Sequence, residues 1–283
     1  MTGFGSSSYT ITPSKTPYPF NAYNGVFSND ATLISRHVVG LITLTPEQLR
    51  SARVSGLPNV SSYEAALVAQ YIVGISHPIN QTGQWTFTPV STSLIVGTSS
   101  TADFAASLMG DVNGDWTANP CRTTDICRPD EPLTDPERIR NAVQASLAPT
   151  KASPGSEIVV PFRIENLRGK PVDSFQFDIE YDPEIVSPAE LAASIEGTNA
   201  ANMSIAFNSP KKGLLKVVVY GAYPASGDGV YVNLRFRVTG TTGTATPLTI
   251  RGFRFNEGAD DVFTGESSIA VRSFNDSSVA RRK

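Results

Sequence analysis

Phe175-Gln176-Phe177-Asp178-Ile179-Glu180-Tyr181 carries an aromatic or aliphatic side chain at every second position and a polar one between. That period of two describes a strand with one face in a core and the other turned outward. The same alternation returns on both sides. Ile158, Val160, Phe162 and Ile164 precede it. Leu215, Val217 and Val219 follow, then Val230, Val232, Leu234, Phe236 and Val238, with Ile269 and Val271 closing the series. Leu248 and Ile250 begin one more strand, but Phe253 and Phe255 have the opposite parity, so a bulge is expected at Gly252. Strands at this spacing, separated by Gly, Pro and Asn turns, predict an antiparallel β-sandwich of about 130 residues.

Upstream the period changes. Two stretches, 26–41 and 60–75, lie 34 residues apart. Each passes a Ser and an acid (Asp30, Glu64), runs about three helical turns and stops at Gly40 or Gly74, where a left-handed cap is wanted. Ala31, Ile34, Val38 and Leu41 predict one buried stripe; Ala65, Val68, Ile72 and Ile75 predict the other. Between them Thr45-Pro46-Glu47-Gln48 reads as a capping box with Pro at the first helical position. The spacing also fits a tetratricopeptide array, but two copies cannot stack into a solenoid and that motif's Trp, Gly and Tyr positions are missing.

Short β segments flank the helices. Ser8-Tyr9-Thr10-Ile11-Thr12-Pro13 is a strand with no hairpin partner before it. Residues 84–90 form another, which 93–96 continue, and 101–109 form a third. The helices are thus an insert in a small β domain. An orphan strand at Tyr9, Thr10, Ile11 and Thr12 is a candidate for completing a sheet in another protomer, with main-chain hydrogen bonds supplying affinity.

The 283 residues suffice for two cores. Only 17% of them are charged, and 22 Gly and 20 Pro suit extracellular β modules. A net charge of -3 gives no reason to expect nucleic acid, and the basic end at 280–283 reads as a solvated tail. No apolar run reaches the length of a membrane span. Residues 1–5 lack the regions of a signal peptide, which suggests a fragment or a trimmed start. Cys121 and Cys127, in a Pro-rich connector, suit a local disulfide of a secreted protein, free thiols being the alternative; four zinc ligands are not in view. Sequons stand at Asn59, Asn80, Asn202 and Asn275.

Candidate chemistry is sparse. Asp111-Val112-Asn113-Gly114-Asp115 has the spacing that aims three oxygens at one cation, so Asp111, Asn113 and Asp115 are a candidate calcium site; a turn capped by Asp and Asn is the other reading. No cofactor is otherwise required. His37 aligns with Tyr71 as a half-buried packing residue, and His77 precedes a Pro in a loop. With two His, no G-x-S-x-G elbow and no acid pair beyond the strand carboxylates Asp178, Glu180 and Asp182, catalysis has no set of residues to work with.

Residues 154–162, the run from Phe175 through Tyr181-Asp182-Pro183 to Val186, and Leu234-Arg235-Phe236-Arg237-Val238 together resemble a cohesin domain over about 140–273. The helix pair resembles a dockerin type I repeat, and residues 109–116 resemble its ending. Such units interrupt prealbumin-like or carboxypeptidase-regulatory-like β domains in bacterial surface proteins. In a dockerin the calcium loop precedes each helix. Counted back from Asp30 the ligand positions hold Pro19, Asn21, Tyr23 and Asn24; counted back from Glu64 they hold Arg53, Ser55, Leu57 and Pro58. The resemblance therefore carries the helical fold and not dockerin calcium chemistry.

The expected architecture is mainly β with a small α insert. Residues 1–118 form a small β domain interrupted at about 21–78 by dockerin-like helices. A Pro/Cys linker spans 119–137, a cohesin-like, jelly-roll sandwich spans 138–273, and 274–283 form a tail. The expected function is a non-enzymatic extracellular or cell-surface structural or adhesive module. Its partners are other protein modules, copies of itself included, in a fibre built by strand donation or head-to-tail docking. A carbohydrate-binding accessory module of a polysaccharide-degrading system is the alternative, with Trp85, Tyr220, Tyr223 and Tyr231 as stacking candidates.

Overall fold

The computed structural model describes residues 8–18, 25–95, 101–118, 133–256, 258 and 260–273. The N-terminal part runs β1 (Ser8–Ile11), α1 (Ser28–Val38), α2 (Pro46–Ala52), α3 (Ser62–Val73), β2 (Trp85–Thr88), β3 (Thr92–Ile95) and β4 (Ala105–Leu108). After α4 (Pro136–Asn141) the chain is β: β5 (Val143–Leu147), β6 (Thr150–Ala152), β7 (Glu157–Glu165), β8 (Val172–Glu180), β9 (Val186–Ser194), β10 (Ser204–Lys211), β11 (Leu214–Ala225), β12 (Gly229–Val238), β13 (Ala245–Phe255), β14 (Val262–Thr264) and β15 (Ser267–Val271).

The predicted sandwich is there. One sheet has the order β10-β11-β8-β13-β15-β6 and the other β14-β5-β7-β12-β9. All neighbours are antiparallel except β14 with β5 and β15 with β6. The alternating residues fill the space between the sheets: Val160, Phe162, Ile164, Phe175, Phe177, Ile179, Val217, Val219, Leu234 and Phe236 are all buried. Phe162 and Phe177 stack at 3.9 Å with planes 4° apart. The parity change in β13 is real. The register against β8 slips between Arg251 and Arg254, and Gly252 at φ +53° takes up the extra residue.

The helical caps also follow the sequence. The Thr45 hydroxyl accepts from the Gln48 amide and the Gln48 side chain accepts from the Thr45 amide, with Pro46 opening α2. Gly74 ends α3 in the left-handed conformation, its N–H reaching Gln70 and Tyr71 carbonyls.

Four expectations need correction. The strand at Tyr9, Thr10 and Ile11 is not an orphan: β1 pairs antiparallel with β3 of its own chain, Tyr9 opposite Leu94, and Thr12 lies beyond the strand. Residues 93–95 do not continue the strand at 85–88. Pro89 has no N–H for a ladder, the chain turns, and β2 pairs instead with β4, which is only the last part of the predicted strand 101–109. The stripe of α1 fails at its C-terminal end, where Val38 and Leu41 are 40% and 48% exposed; α1 buries Ser28, Asn29, Asp30, Ala31, Thr32 and Ile34. Its first turns are wedged between α3 and the outer face of the sandwich, which covers polar positions and leaves Val38 and Leu41 exposed. The connector from 119 is not loop to 137, since Asp135 caps α4. Residues 119–132 and 274–283, and with them the disulfide expected between Cys121 and Cys127, lie outside the described residues.

A second core joins the two parts. It gathers Val26, Ile34, Leu67, Val68, Ile72, Leu108 and Val112 of the N-terminal unit and closes on Val218 and Tyr220 of β11. Among the described residues no helix is long and apolar enough to cross a membrane.

Candidate functional site

Two features of the N-terminal unit carry the polar chemistry: the acid opening each helical copy, and the face that the helices turn to the sandwich. Asp30 is the third residue of α1 and fully buried. Its Oδ2 accepts the Phe27 N–H at 2.7 Å, as the acid of a capping box does. Its Oδ1 accepts the N–H groups of Val112 at 2.7 Å and Asn113 at 3.2 Å. Asp30 thus clamps the 111–115 turn onto the start of α1. Burial, with the charge of Asp111 beside it, pushes the Asp30 carboxyl well above its usual range, against the pull of the amide hydrogen bonds.

Inside the turn, Asp111 accepts the N–H groups of Gly114 at 2.8 Å, Asp115 at 3.1 Å and Trp116 at 3.1 Å, and Asn113 Oδ1 accepts the Asp115 N–H at 3.2 Å. Burial and then the Asp115 charge raise the Asp111 carboxyl to about 6. The turn lines a cleft of about 240 Å³ with Trp85, Leu108 and Trp116, and the two indoles meet edge to face at 4.7 Å. Asp111, Asn113 and Asp115 therefore lie in one Asx-type turn, whose Asp111 and Asn113 oxygens accept backbone N–H groups. The sequence reading missed that Asp30 joins them. The turn reaches Asp30 from 82 residues further on, beyond any local motif. Among the described residues no group of three His, Cys, Asp or Glu stands in metal-holding geometry.

The second copy solves the same problem locally. Glu64, also fully buried, is met by the hydroxyl of Ser55 and, at 3.1 Å on its other oxygen, that of Ser61. Ser55 is one of the positions where a calcium loop would place a carboxylate; here its hydroxyl satisfies the acid instead.

The outer face of the sandwich is polar in sequence yet buried in fact. Ser174 and Gln176, on the face of β8 opposite Phe175 and Phe177, are 0% and 5% exposed. Gln176 Oε1 accepts the Ser28 N–H at 2.9 Å, and the Ser28 and Ser174 hydroxyls lie 3.0 Å apart. The Thr32 hydroxyl donates to the Asp173 carbonyl at 3.2 Å. The Arg36 guanidinium pairs with the Asp173 carboxylate and reaches the Ala222 carbonyl. From α3, the Val73 carbonyl accepts Asn208 Nδ2 of β10 at 3.2 Å. Arg254 of β13 lies over the Phe27 ring, 3.6 Å from its centroid. Val218 and Tyr220, apolar on the outward parity of β11, were the sequence signal that something covers this face.

The remaining candidates fall to structural roles. His37 is half-buried near the Ile42 carbonyl, and His77 packs edge-on against Tyr63. Asp178 pairs with Lys216 and Glu180 with Arg251 across neighbouring strands. Tyr231 and Tyr220 are buried, and of the four proposed stacking aromatics only Tyr223 is exposed, at 61%.

No curated protein matches the chain. Solved structures similar to it include the sixth cohesin of Acetivibrio cellulolyticus scaffoldin B in complex with a Cel5 dockerin mutant, 21% identical with a TM-score of 0.39, covering 46% of this chain and 99% of that one. A non-cellulosomal cohesin from the archaeon Archaeoglobus fulgidus is 24% identical with a TM-score of 0.39, covering 47% of this chain and 92% of that one. The OlpA cohesin of Clostridium thermocellum, in complex with a dockerin, is 20% identical with a TM-score of 0.39, covering 46% and 99%. Cohesin domains are non-catalytic protein-interaction modules, in keeping with the expectation of a non-enzymatic chain. Residues 143–267, from β5 to the first residue of β15, match the family model of the cohesin domain.

Proposed function

We propose that the chain is a non-enzymatic module of the cell surface or extracellular space that acts by protein–protein contact, as a structural or adhesive subunit. The observation that carries this reading is the outer sheet face of the cohesin-like sandwich, built to receive helices and hydrogen-bonded to two of them. Self-assembly into a fibre is the finer form of the proposal. Donation of the strand at Tyr9 loses its basis, because that strand is paired with β3. Head-to-tail docking of a helical unit on a neighbour's sandwich keeps its basis. Size-exclusion chromatography with light scattering, followed by negative-stain microscopy, is expected to find oligomers growing with concentration. A monodisperse monomer at millimolar concentration sinks the fibre. The carbohydrate-binding alternative gains nothing, since three of its four aromatics are not free platforms.

Calcium at the 111–115 turn belongs to the same proposal. The donors are all oxygen: Asp111, Asp115 and the Asn113 amide, hard ligands of the kind a divalent cation takes. The test is the pH profile of stability. Asp111 titrates near 6 in the folded state against 3.8 unfolded. Its carboxyl is protonated in the fold and ionised in the unfolded chain between those values. In EDTA, stability is therefore full below about pH 4 and falls as pH rises to about 6, by up to about 3 kcal/mol. Asp30 adds in the same direction. Calcium at a hundred times its dissociation constant restores about 2.7 kcal/mol at pH 7. Identical melting with calcium and with EDTA at pH 7 leaves the turn as a metal-free clamp.

A further inference from the structure

We propose that the groove between β13 and β14 binds an extended peptide segment of a partner protein, one that carries a basic residue near the end lodged at Ser267. This rests on the reading of the chain as a protein-contact module and names a second contact surface with the chemistry of its ligand.

The groove opens where one strand leaves another. β13 pairs with β15 only from Ala245 to Leu248, and the last pair sets Leu248 opposite Ser267. From Thr249 onward β13 has β8 as its strand partner, on one side alone among the described residues. Upstream of Ser267 the chain belongs to the other sheet, where β14 lies at the edge against β5. The two strands thus diverge from the Leu248–Ser267 pair and enclose a groove of about 770 Å³, within the range of roughly 300–1,000 Å³ typical of ligand sites. Every residue from 247 to 253 and from 262 to 268 lines it, with Leu133 and Pro149. Successive strand residues face opposite ways, so a wall made of consecutive residues is a strand met at its edge. The main-chain groups of such an edge are what an added strand pairs with. From Thr249 to Phe253 the edge is about 17 Å long.

Two further observations give the ligand its chemistry. Ser267 stands at the apex, 9% exposed, and its hydroxyl has no hydrogen-bond partner. A buried hydroxyl in that state is costly, and a peptide group arriving at the apex satisfies it. Glu266, beside it, is exposed and has no ion-pair partner among the described residues, whereas Arg251 is held by Glu180 at 3.1 Å. The charge open to a ligand is therefore negative, and it selects a lysine or arginine. A segment laid antiparallel on β13 runs in the direction of β15 and ends at Ser267. Its basic side chain then belongs near its C-terminal end. Thr249, Thr264 and Ser268 line the remainder with short side chains, which leaves room for the β-branched residues that suit an extended strand.

The test is a nuclear magnetic resonance titration of the isotope-labelled full chain with the peptide acetyl-Thr-Val-Thr-Val-Lys-Thr-amide, and with a second peptide that has Glu in place of its Lys. At millimolar peptide the amide signals of 247–253 and 262–268 are expected to move, more with the first peptide than with the second. Glu266→Lys reverses that preference, by about threefold each way. Ser267→Ala weakens both peptides about fivefold. It leaves the melting midpoint of the free chain unchanged or higher, because the hydroxyl it removes is unpaired. A lowered midpoint with peptide binding unaltered overturns the proposal. So does a preference that Glu266→Lys does not reverse, or the absence of movement in both segments. If the unaltered chain assembles at millimolar concentration while neither peptide moves these amides, the protein-contact reading stands and this groove is not its contact. If the peptides bind while the chain stays monomeric, the groove stands and the fibre falls.

Discussion

Asp30→Ala is expected to destabilise the N-terminal unit by about 3–6 kcal/mol. Three backbone N–H groups depend on that one carboxylate: those of Phe27, Val112 and Asn113. Phe27 and Val112 are 3% and 1% exposed, so water cannot take the place of the lost acceptor. A buried donor left unsatisfied costs about 1–3 kcal/mol, and the Asn113 amide, nearer the surface, costs least. The clamp also joins segments 82 residues apart. Its loss frees the 111–115 turn and, through it, Trp116 on Trp85. Asp30→Asn discriminates the roles of shape and charge. Its amide oxygen still accepts from Val112 and Asn113, while its NH2 faces the Phe27 N–H, so about 1–2 kcal/mol is expected, one bond lost. The raised Asp30 carboxyl means that losing the charge is itself no penalty. Urea unfolding followed by tryptophan fluorescence reads this unit selectively, because both tryptophans, Trp85 and Trp116, lie in it. An alanine variant within 1 kcal/mol of the parent removes the clamp from the account.

The sandwich was legible because each strand spans two chemically different sides. Val232 to Val238 alternate between buried and outward positions, and even the slip at Gly252 left a parity change in Phe253 and Phe255. The capping box of α2 was legible because its partners are three residues apart. The failures share one cause: the partner that decides the outcome lies far away in sequence. Ser28, Asp30 and Thr32 lie off the predicted apolar stripe, yet β8 and the 111–115 turn satisfy them. Val38 and Leu41 read as core, yet α1 runs past its cover before reaching them. The strand at Tyr9 seemed alone because its partner at Leu94 follows three intervening helices. The calcium-loop resemblance points upstream of copy one, whereas the Asp30 carboxylate takes its N–H donors from Val112 and Asn113, 82 and 83 residues further on.

Phe177→Ala is expected to be the costliest single truncation in the sandwich, at about 3–5 kcal/mol. Phe177 is 1% exposed and lies on β8, which is flanked by β11 and β13. It stacks on Phe162 of the facing sheet at 3.9 Å and lies 6.2 Å from Phe175. Removing the ring leaves a cavity bounded by two sheets whose ladders prevent collapse, which places the cost in the upper part of that range. Phe177→Leu keeps most of the volume and is expected to cost about 1–2 kcal/mol. For a unit of this size about 4 kcal/mol lowers the melting midpoint by roughly 15 °C. The two ends of the molecule then report differently. Far-UV circular dichroism, dominated by the sandwich strands, takes the full shift. Tryptophan fluorescence, confined to the N-terminal unit, shifts by less, because that unit keeps Ile34, Leu67 and Ile72 packed and loses only its support on Val218, Tyr220 and Gln176. Gln176 is the residue next to Phe177, so no loosening of β8 can leave the Ser28 contact intact. A fluorescence midpoint that does not move while the dichroism midpoint falls by roughly 15 °C contradicts the docking of α1 on β8.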